Sequence, residues 1–406
     1  MKPKLAIVIG FLAAVSVIMY FALAGERGGS KPADAGSGSA AESVRPDDKI
    51  PPPAAAKVEL PFEYSTEKKE WLEAAVAEFE KVNPNIDVKL IGKGSLDAAA
   101  AILDGTDKPV LWSPADSLVT NLLAADWSTK TKQQLYPIQG DAAPQPLLLT
   151  PLVFAVWEDR AKVLVDASSG QLSWKTIHKA VASPRGWPAI GGKPGWGFVK
   201  LGHTDPTRSN SGLQAIALMA LEYFGQTSGI TVEQLLDPKF QDFLKETEQG
   251  VPHFEASTGT FMTDMIRFGP SKYDIAVVYE SLAVSQLENA QGRWGSLHIY
   301  YPPVTIWSDH PVALLTGAAW VTPAQRGAAE KLVAFLRSTP VQSTALRFGF
   351  RPADPSVPMK STEGANPFTK MAGFGLSLEL PPAAQPPDGA VVRNLMMLWS
   401  RVVKPR

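Results

Sequence analysis

Cysteine is absent from the 406 residues, which excludes disulfides, thiolate catalysis, Cys-ligated zinc, iron–sulfur clusters and a lipidated-cysteine anchor. An excess of charge of either sign is also missing: 39 Lys and Arg face 40 Asp and Glu, for a formal charge of −1. The chain therefore lacks the basic field of a nucleic-acid binder and the strong net charge of a disordered protein. Histidine is scarce, with 5 residues, and none stands in HxxxH or HExxH spacing, so a histidine metal site has no local support. No GxSxG nucleophile elbow and no GxxxxGK[ST] phosphate loop occurs. The string GGKPGWG (191–197) has the wrong glycine spacing for a dinucleotide fingerprint. Nothing repeats at a period of 20–50 residues, which argues against solenoids and propellers. No catalytic residue, metal or cofactor is assigned.

What is present is apolar material for a large core, 45% of residues, and 35 prolines that fix turns and extended joints. Lys2 and Lys4 precede an uncharged apolar run over 5–24. At about 1.5 Å per residue its length matches a bilayer core, so it is predicted to be a transmembrane helix with its N-terminus inside. Ala22-Leu23-Ala24 before Gly25 also fits signal cleavage, and that alternative stays open. Either way the bulk of the chain is expected to work outside the cytoplasm. Residues 25–56 are Gly-, Ser-, Ala- and Pro-rich, and read as a disordered linker ending in Pro51-Pro52-Pro53.

From 57 onward strands and helices alternate. VELPFEY (58–64) reads as a strand, and Trp71, Leu72, Ala75, Val76 and Phe79 form one stripe of a helix over 67–82. Asn83-Pro84-Asn85 stops it, and IDVKLI (86–91) is a second strand. This is a strand–helix–strand unit of a parallel sheet. Further strands are predicted at 110–112, 152–157, 273–279, 297–301 and 312–320. Helices are predicted at 96–103, 117–125, 212–224, 281–289, 324–338 and 391–402. The 11 tryptophans are scattered; Trp71 and Trp320 lie on apolar stripes and read as core.

Four stretches carry a resemblance: YSTEKKEWLEAAVAEFEKVNP, LLTPLVFAVWEDRA, LGHTDPTRSNSGLQAIALMALEYFG, and YDIAVVYESLAVSQ with the later segment from YYPPVTIWSDH to AFLRS. In these the chain resembles the type 2 periplasmic solute-binding proteins, the two-lobed receptors of import systems. The third stretch is similar to the loop ahead of a helix in their molybdate-, sulfate- and iron-binding branches. The chain is also similar to the solute-binding-like modules associated with von Willebrand factor A domains. No such domain is present, because Asp166-Ala-Ser168-Ser169-Gly170 lacks the second serine of Asp-x-Ser-x-Ser in register. The resemblance implies an α/β, two-lobed fold with a hinge of two crossovers near 154–158 and 302–307. Lobe one would be 57–153 with 308–406, and lobe two 154–307. A ligand would sit between them, at strand ends and helix N-termini.

The site residues expected on this basis are Ser65 and Thr66 after the first strand, Ser113 after a later one, Thr207, Ser209, Asn210 and Ser211 ahead of an apolar helix, Thr258 in EASTGTF, and Tyr279 with Glu280 after IAVV. Hydroxyls and backbone N–H groups at a helix start can cradle an oxyanion, though the same serines also serve as plain caps. Glu280 does not suit an anion pocket unless the ligand arrives protonated or Arg208 offsets it, and Asp205, Glu67 and Glu280 together could instead hold a cation. The function expected is capture of a small polar ligand, an anion favoured, for transport or sensing. Its partners would be that ligand, the membrane through the N-terminal helix, and a permease or envelope protein, with no nucleic acid. The alternative is an envelope scaffold that keeps the fold without the ligand. An enzyme on this scaffold is the weakest of the three readings.

Overall fold

The computed structural model describes residues 57–165, 170–360 and 366–403. The expected membrane segment (1–24) and linker (25–56) lie outside the described residues. Among the described residues no helix is long and apolar enough to cross a membrane.

The strands in chain order are β1 (Val58–Tyr64), β2 (Ile86–Gly92), β3 (Leu111–Ser113), β4 (Gln145–Pro146), β5 (Leu148–Trp157) and β6 (Leu201–Gly202). They continue as β7 (Ile275–Tyr279), β8 (Leu297–Tyr300), β9 (Trp307–Ser308), β10 (Pro311–Leu314) and β11 (Arg351–Pro352). The helices begin with α1 (Lys69–Val82), α2 (Ser95–Asp104), α3 (Ser117–Thr131), α4 (Glu158–Leu164), α5 (Trp174–Val181) and α6 (Asn210–Phe224). After them come α7 (Val232–Leu235), α8 (Pro238–Glu248), α9 (Thr258–Phe268) and α10 (Glu280–Gln286). The last four are α11 (Pro323–Leu336), α12 (Thr339–Thr344), α13 (Pro367–Lys370) and α14 (Gly389–Val402).

The first sheet has the order β2-β1-β3-β10-β4. β1 runs parallel to both β2 and β3, with Tyr64 opposite Gly92 on one side and Ser113 on the other. The predicted stripe of α1 is buried as Trp71, Leu72, Ala75, Val76 and Phe79. It packs in one core with Leu60 and Phe62 of β1 and Ala329 and Leu332 of α11. β10 joins antiparallel to β3 and stops at Leu314, short of the strand expected to 320. β3 offers only three residues to pair with; Leu315 N–H still reaches Val110 O in the same register, and then Gly317 turns to donate to Leu135 O.

The second sheet is built on β5, whose apolar run is buried along almost its whole length. β5 pairs antiparallel with β11, β9, β7 and β8 in succession, and β6 lies parallel to β7. The chain passes from the first sheet to the second between Pro146 and Leu148, returns between Ser308 and Pro311, and enters the second sheet a further time when β11 pairs with β5. Those crossings fall before and after the expected 154–158 and 302–307, because β5 begins pairing at Leu148 and β9 still pairs with it at Ser308. The last helix, counted with lobe one in the sequence-based division, buries Leu395, Leu398 and Trp399 in the core that holds α6. Arg393 on its other side reaches Asp126 of α3 at 2.6 Å.

Candidate functional site

β1 ends at Tyr64, and the chain turns through Ser65 into a short 3-10 turn, Thr66–Lys68, before α1. This turn carries two buried charges. Lys68 is fully buried, and its Nζ donates to Ser65 Oγ (2.6 Å), Ser113 O (2.8 Å) and Pro114 O (3.0 Å). Three acceptors match the three donors of an ammonium group. Burial pulls the lysine below its ordinary range, while the charges of Glu67 and Asp309 oppose that. Ser65 Oγ in turn donates to Glu67 Oε1 at 2.5 Å. Burial alone would raise the Glu67 carboxyl, but His310, Lys68 and Ser65 together hold it down at about 2. His310 Nδ1 faces Glu67 Oε1 at 3.2 Å, and Nε2 has no hydrogen-bond partner.

The opposite wall comes from the loop ahead of α6. Gly212 lets this loop fold onto the first turn of the helix, since a Cβ there would sit 2.1 Å from Thr204 O. Beneath it His203 is fully buried, with Nδ1 2.8 Å from Thr204 O and Nε2 2.8 Å from Glu248 Oε2. Burial works to lower its pKa, but the Glu248 carboxylate wins and holds it above the ordinary value. Asn210 Nδ2 donates to Tyr279 Oη at 3.1 Å. One turn on, Gln214 Nε2 donates to Asp116 Oδ2 (2.7 Å) and Ser308 Oγ (2.8 Å). Burial, reinforced by the charge of Asp309, pushes Asp116 up to about 7.

The two walls meet along a narrow polar cleft. Of the expected residues, Ser65, Thr66, Ser209, Asn210, Thr258 and Tyr279 line it, joined by Glu67, Gly94, Ser95 and Ser257. A Cβ at Gly94 would lie 2.9 Å from Arg208 O and 3.2 Å from Ala256 O, so glycine is what lets these loops meet. The helical turns beginning at Thr66, Ser95, Asn210 and Thr258 all start at this pocket. None is closed by the side chain of its own N-cap residue, Ser65, Gly94, Ser209 or Ser257. Elsewhere Asp116, Ser173, Thr231, Asp237, Thr322, Asn366 and Asp388 cap their helices, while Trp157, Tyr279 and Ser338 do not. The pocket thus collects helix starts whose N–H groups and positive dipole ends face inward without side-chain caps.

The other expected residues lie around this pocket. Ser113 is buried at the end of β3; its carbonyl accepts from Lys68 and its Oγ has no partner. Ser211 bonds Thr204 Oγ1 (2.8 Å) and Thr258 Oγ1 (2.7 Å) within the second wall. Thr207 Oγ1 donates to Asp205 Oδ1 at 2.6 Å. The Glu280 carboxylate is gripped by Arg351 through Nε and Nη2, both at 2.8 Å, and by Tyr301 Oη. Asp205, Glu67 and Glu280 therefore have separate partners and do not converge on a cation. Among the described residues no group of three or more acidic or histidine side chains could hold a metal. Lys68, Asp116, Gln214 and His310 were not foreseen, and no local pattern marks them, because each is defined by partners far along the chain.

A mixed α/β fold of two sheets, joined by crossings and with a polar cleft at helix starts, is the architecture of a binding protein. The chain belongs to the bacterial extracellular solute-binding proteins, whose family model matches residues 63–351. No curated protein matches the sequence. Among solved structures it is similar to the sulfate-binding protein SubI of Mycobacterium tuberculosis, at 18% identity over 80% of this chain and 93% of that one, with a TM-score of 0.54. It is also similar to the periplasmic binding protein AfuA of Actinobacillus pleuropneumoniae with fructose-6-phosphate bound, at 17% identity over 86% and 99%, TM-score 0.55. A Streptococcus pneumoniae solute-binding protein in complex with the blood group A-trisaccharide is similar at 15% identity over 85% and 96%, TM-score 0.54.

Proposed function

We propose that this protein captures a small polar solute, an anion in preference, between two lobes outside the cytoplasm. It then delivers the solute to a permease or reports it to an envelope partner, and the apolar 5–24 run tethers it to the membrane. The observation that carries this reading is the convergence of helix starts without side-chain caps on one polar cleft. Oxyanions favour such a place because unpaired N–H groups and dipole ends act there together. The sulfate and sugar-phosphate proteins that share the fold lend support to the anion.

The scaffold reading has one observation in its favour: the Glu67 carboxylate, bonded to Ser65, already lines the pocket with the protein's own charge. The two readings separate by thermal shift over a panel of sulfate, phosphate, sugar phosphates, amino acids and sugars. A binder gains RT ln(1 + [L]/Kd) in stability, whereas a scaffold gains nothing. In calorimetric titration with an anion that shifts the melting temperature, Asn210→Ala and Ser209→Ala should each weaken binding by up to roughly a hundredfold. Unchanged affinity in both, with only the melting temperatures lowered, would return the loop to a structural role.

A further inference from the structure

Among the described residues that line the cleft, Glu67 is the one acid, and lysine, arginine and histidine are absent. Its carboxyl is held at about 2 and is therefore ionised near neutral pH. Ser65 Oγ and His310 Nδ1 both approach Oε1, at 2.5 and 3.2 Å. That leaves Oε2 as the open oxygen of the carboxylate. Lys68 behind the turn cannot serve it, because its three donors are committed to Ser65 Oγ, Ser113 O and Pro114 O. On the other wall Asn210 is 1% exposed, and its Nδ2 donates to Tyr279 Oη at 3.1 Å. Its Oδ1 is buried without a partner. Tyr279, which also lines the cleft, stands close enough to Glu67 to feel its charge. Helix starts alone would suit a bare oxyanion. A carboxylate and an unpaired amide oxygen in the same cleft call in addition for a donor that carries positive charge.

From this we infer that Glu67 and Asn210 form an ammonium subsite, and that the solute of this cleft is a small zwitterion whose anionic group meets the helix starts. The inference rests on the solute-capture reading and narrows its anion to the anionic end of such a molecule. α2, α6 and α9 begin at the cleft without side-chain caps, so their N–H groups and dipole ends suit a carboxylate or a sulfonate. A primary ammonium brings three donors. Glu67 Oε2 and Asn210 Oδ1 take two of them, and the cleft hydroxyls offer acceptors for the third. The same carboxylate works against a solute that is only negative, because its field opposes that charge where water is excluded.

The test compares molecules of one shape that differ in the ammonium, on the full chain near pH 7: taurine against isethionate, and glycine against glycolate. Calorimetric titration of wild type should give at least about a tenfold tighter Kd for the ammonium-bearing member of a pair. Glu67→Gln keeps the shape without the charge and should bring the two members within about twofold. Ethylammonium, which has no anionic group, should bind at least about tenfold more weakly than taurine. Three results would each overturn the zwitterion while leaving capture of a solute intact. They are a hydroxyl member that binds wild type as tightly, a preference that survives in Glu67→Gln, and ethylammonium as tight as taurine. Should none of these probes bind while sulfate or phosphate does, the assignment falls and anion capture stands. If sulfate and phosphate also fail, the reading of this cleft as a small-solute site falls, and the assignment with it. If Glu67→Gln does not fold, Asn210→Ser decides, since it removes the other open acceptor. A preference cut by at least about threefold supports the subsite, and an unchanged one overturns it.

Discussion

Replacing Arg351 by methionine should cost the folded protein about 3–5 kcal/mol, because it strands a buried carboxylate. Glu280 is fully buried and Arg351 nearly so. The guanidinium meets both carboxylate oxygens at 2.8 Å and donates to Ser377 O at 2.6 Å. Tyr301 Oη donates to the same carboxylate. The pair joins β11 to the start of α10, so its loss is felt where β5 and β7 are also held. The intact pair adds little net stability, since desolvation consumes much of its attraction. The double variant Arg351→Met/Glu280→Leu should therefore recover most of what the single variant loses. Urea unfolding of the three proteins at pH 7 measures both effects. A loss below about 1 kcal/mol in the single variant would mean that water reaches the carboxylate after all.

Glu280 also shows where the sequence ceases to inform. It follows the apolar strand directly, and position alone makes it a carboxylate at a strand end facing a pocket. Its partner Arg351 lies 71 residues further on, and no local signal ties the two. Lys68 misleads in the same way. Within STEKKE it reads as one of several solvated charges, yet the tight turn after Ser65 tucks it under the strand ends, where Ser113 and Pro114 supply carbonyls. Elements with a strong period were legible: the α1 stripe, the apolar β5 and β7, and α6 behind its Ser/Asn loop. The start of α9 at Thr258 was not, because SerThrGlyThr carries the composition of a loop and the apolar stripe of Phe261, Met262 and Met265 begins only after it. The pocket was legible as hydroxyls at strand ends and helix starts. The buried Lys68 and His310 were not, since their partners come from segments far apart in the chain.

The pH dependence of stability should be dominated in part by Glu63, a residue of β1 outside the pocket. It is 1% exposed, and neither carboxylate oxygen has a hydrogen-bond partner. Lys93 Nζ stands 4.0 Å away and is committed to Asp107 at 2.5 Å. Burial first, and then the negative charge of Asp107, raise the Glu63 pKa from 4.5 to about 8 against the weaker pull of Lys93. Between these values the folded protein keeps a proton that the unfolded chain has released. The stabilisation is therefore fully present below about 4.5 and is lost as pH rises through about 8. At about 1.4 kcal/mol per unit, the loss is on the order of 2–4 kcal/mol once some relaxation is allowed. Glutamine keeps the shape and cannot ionise. Glu63→Gln should thus match wild type near pH 4 and exceed it by that amount near pH 9. Other buried titrating groups, His203 and Asp116 among them, are common to both proteins, so the difference between their urea-unfolding curves across pH 4–9 isolates Glu63. Parallel curves would show that the carboxyl ionises in place at no cost, with water or Lys93 compensating its charge inside the sheet.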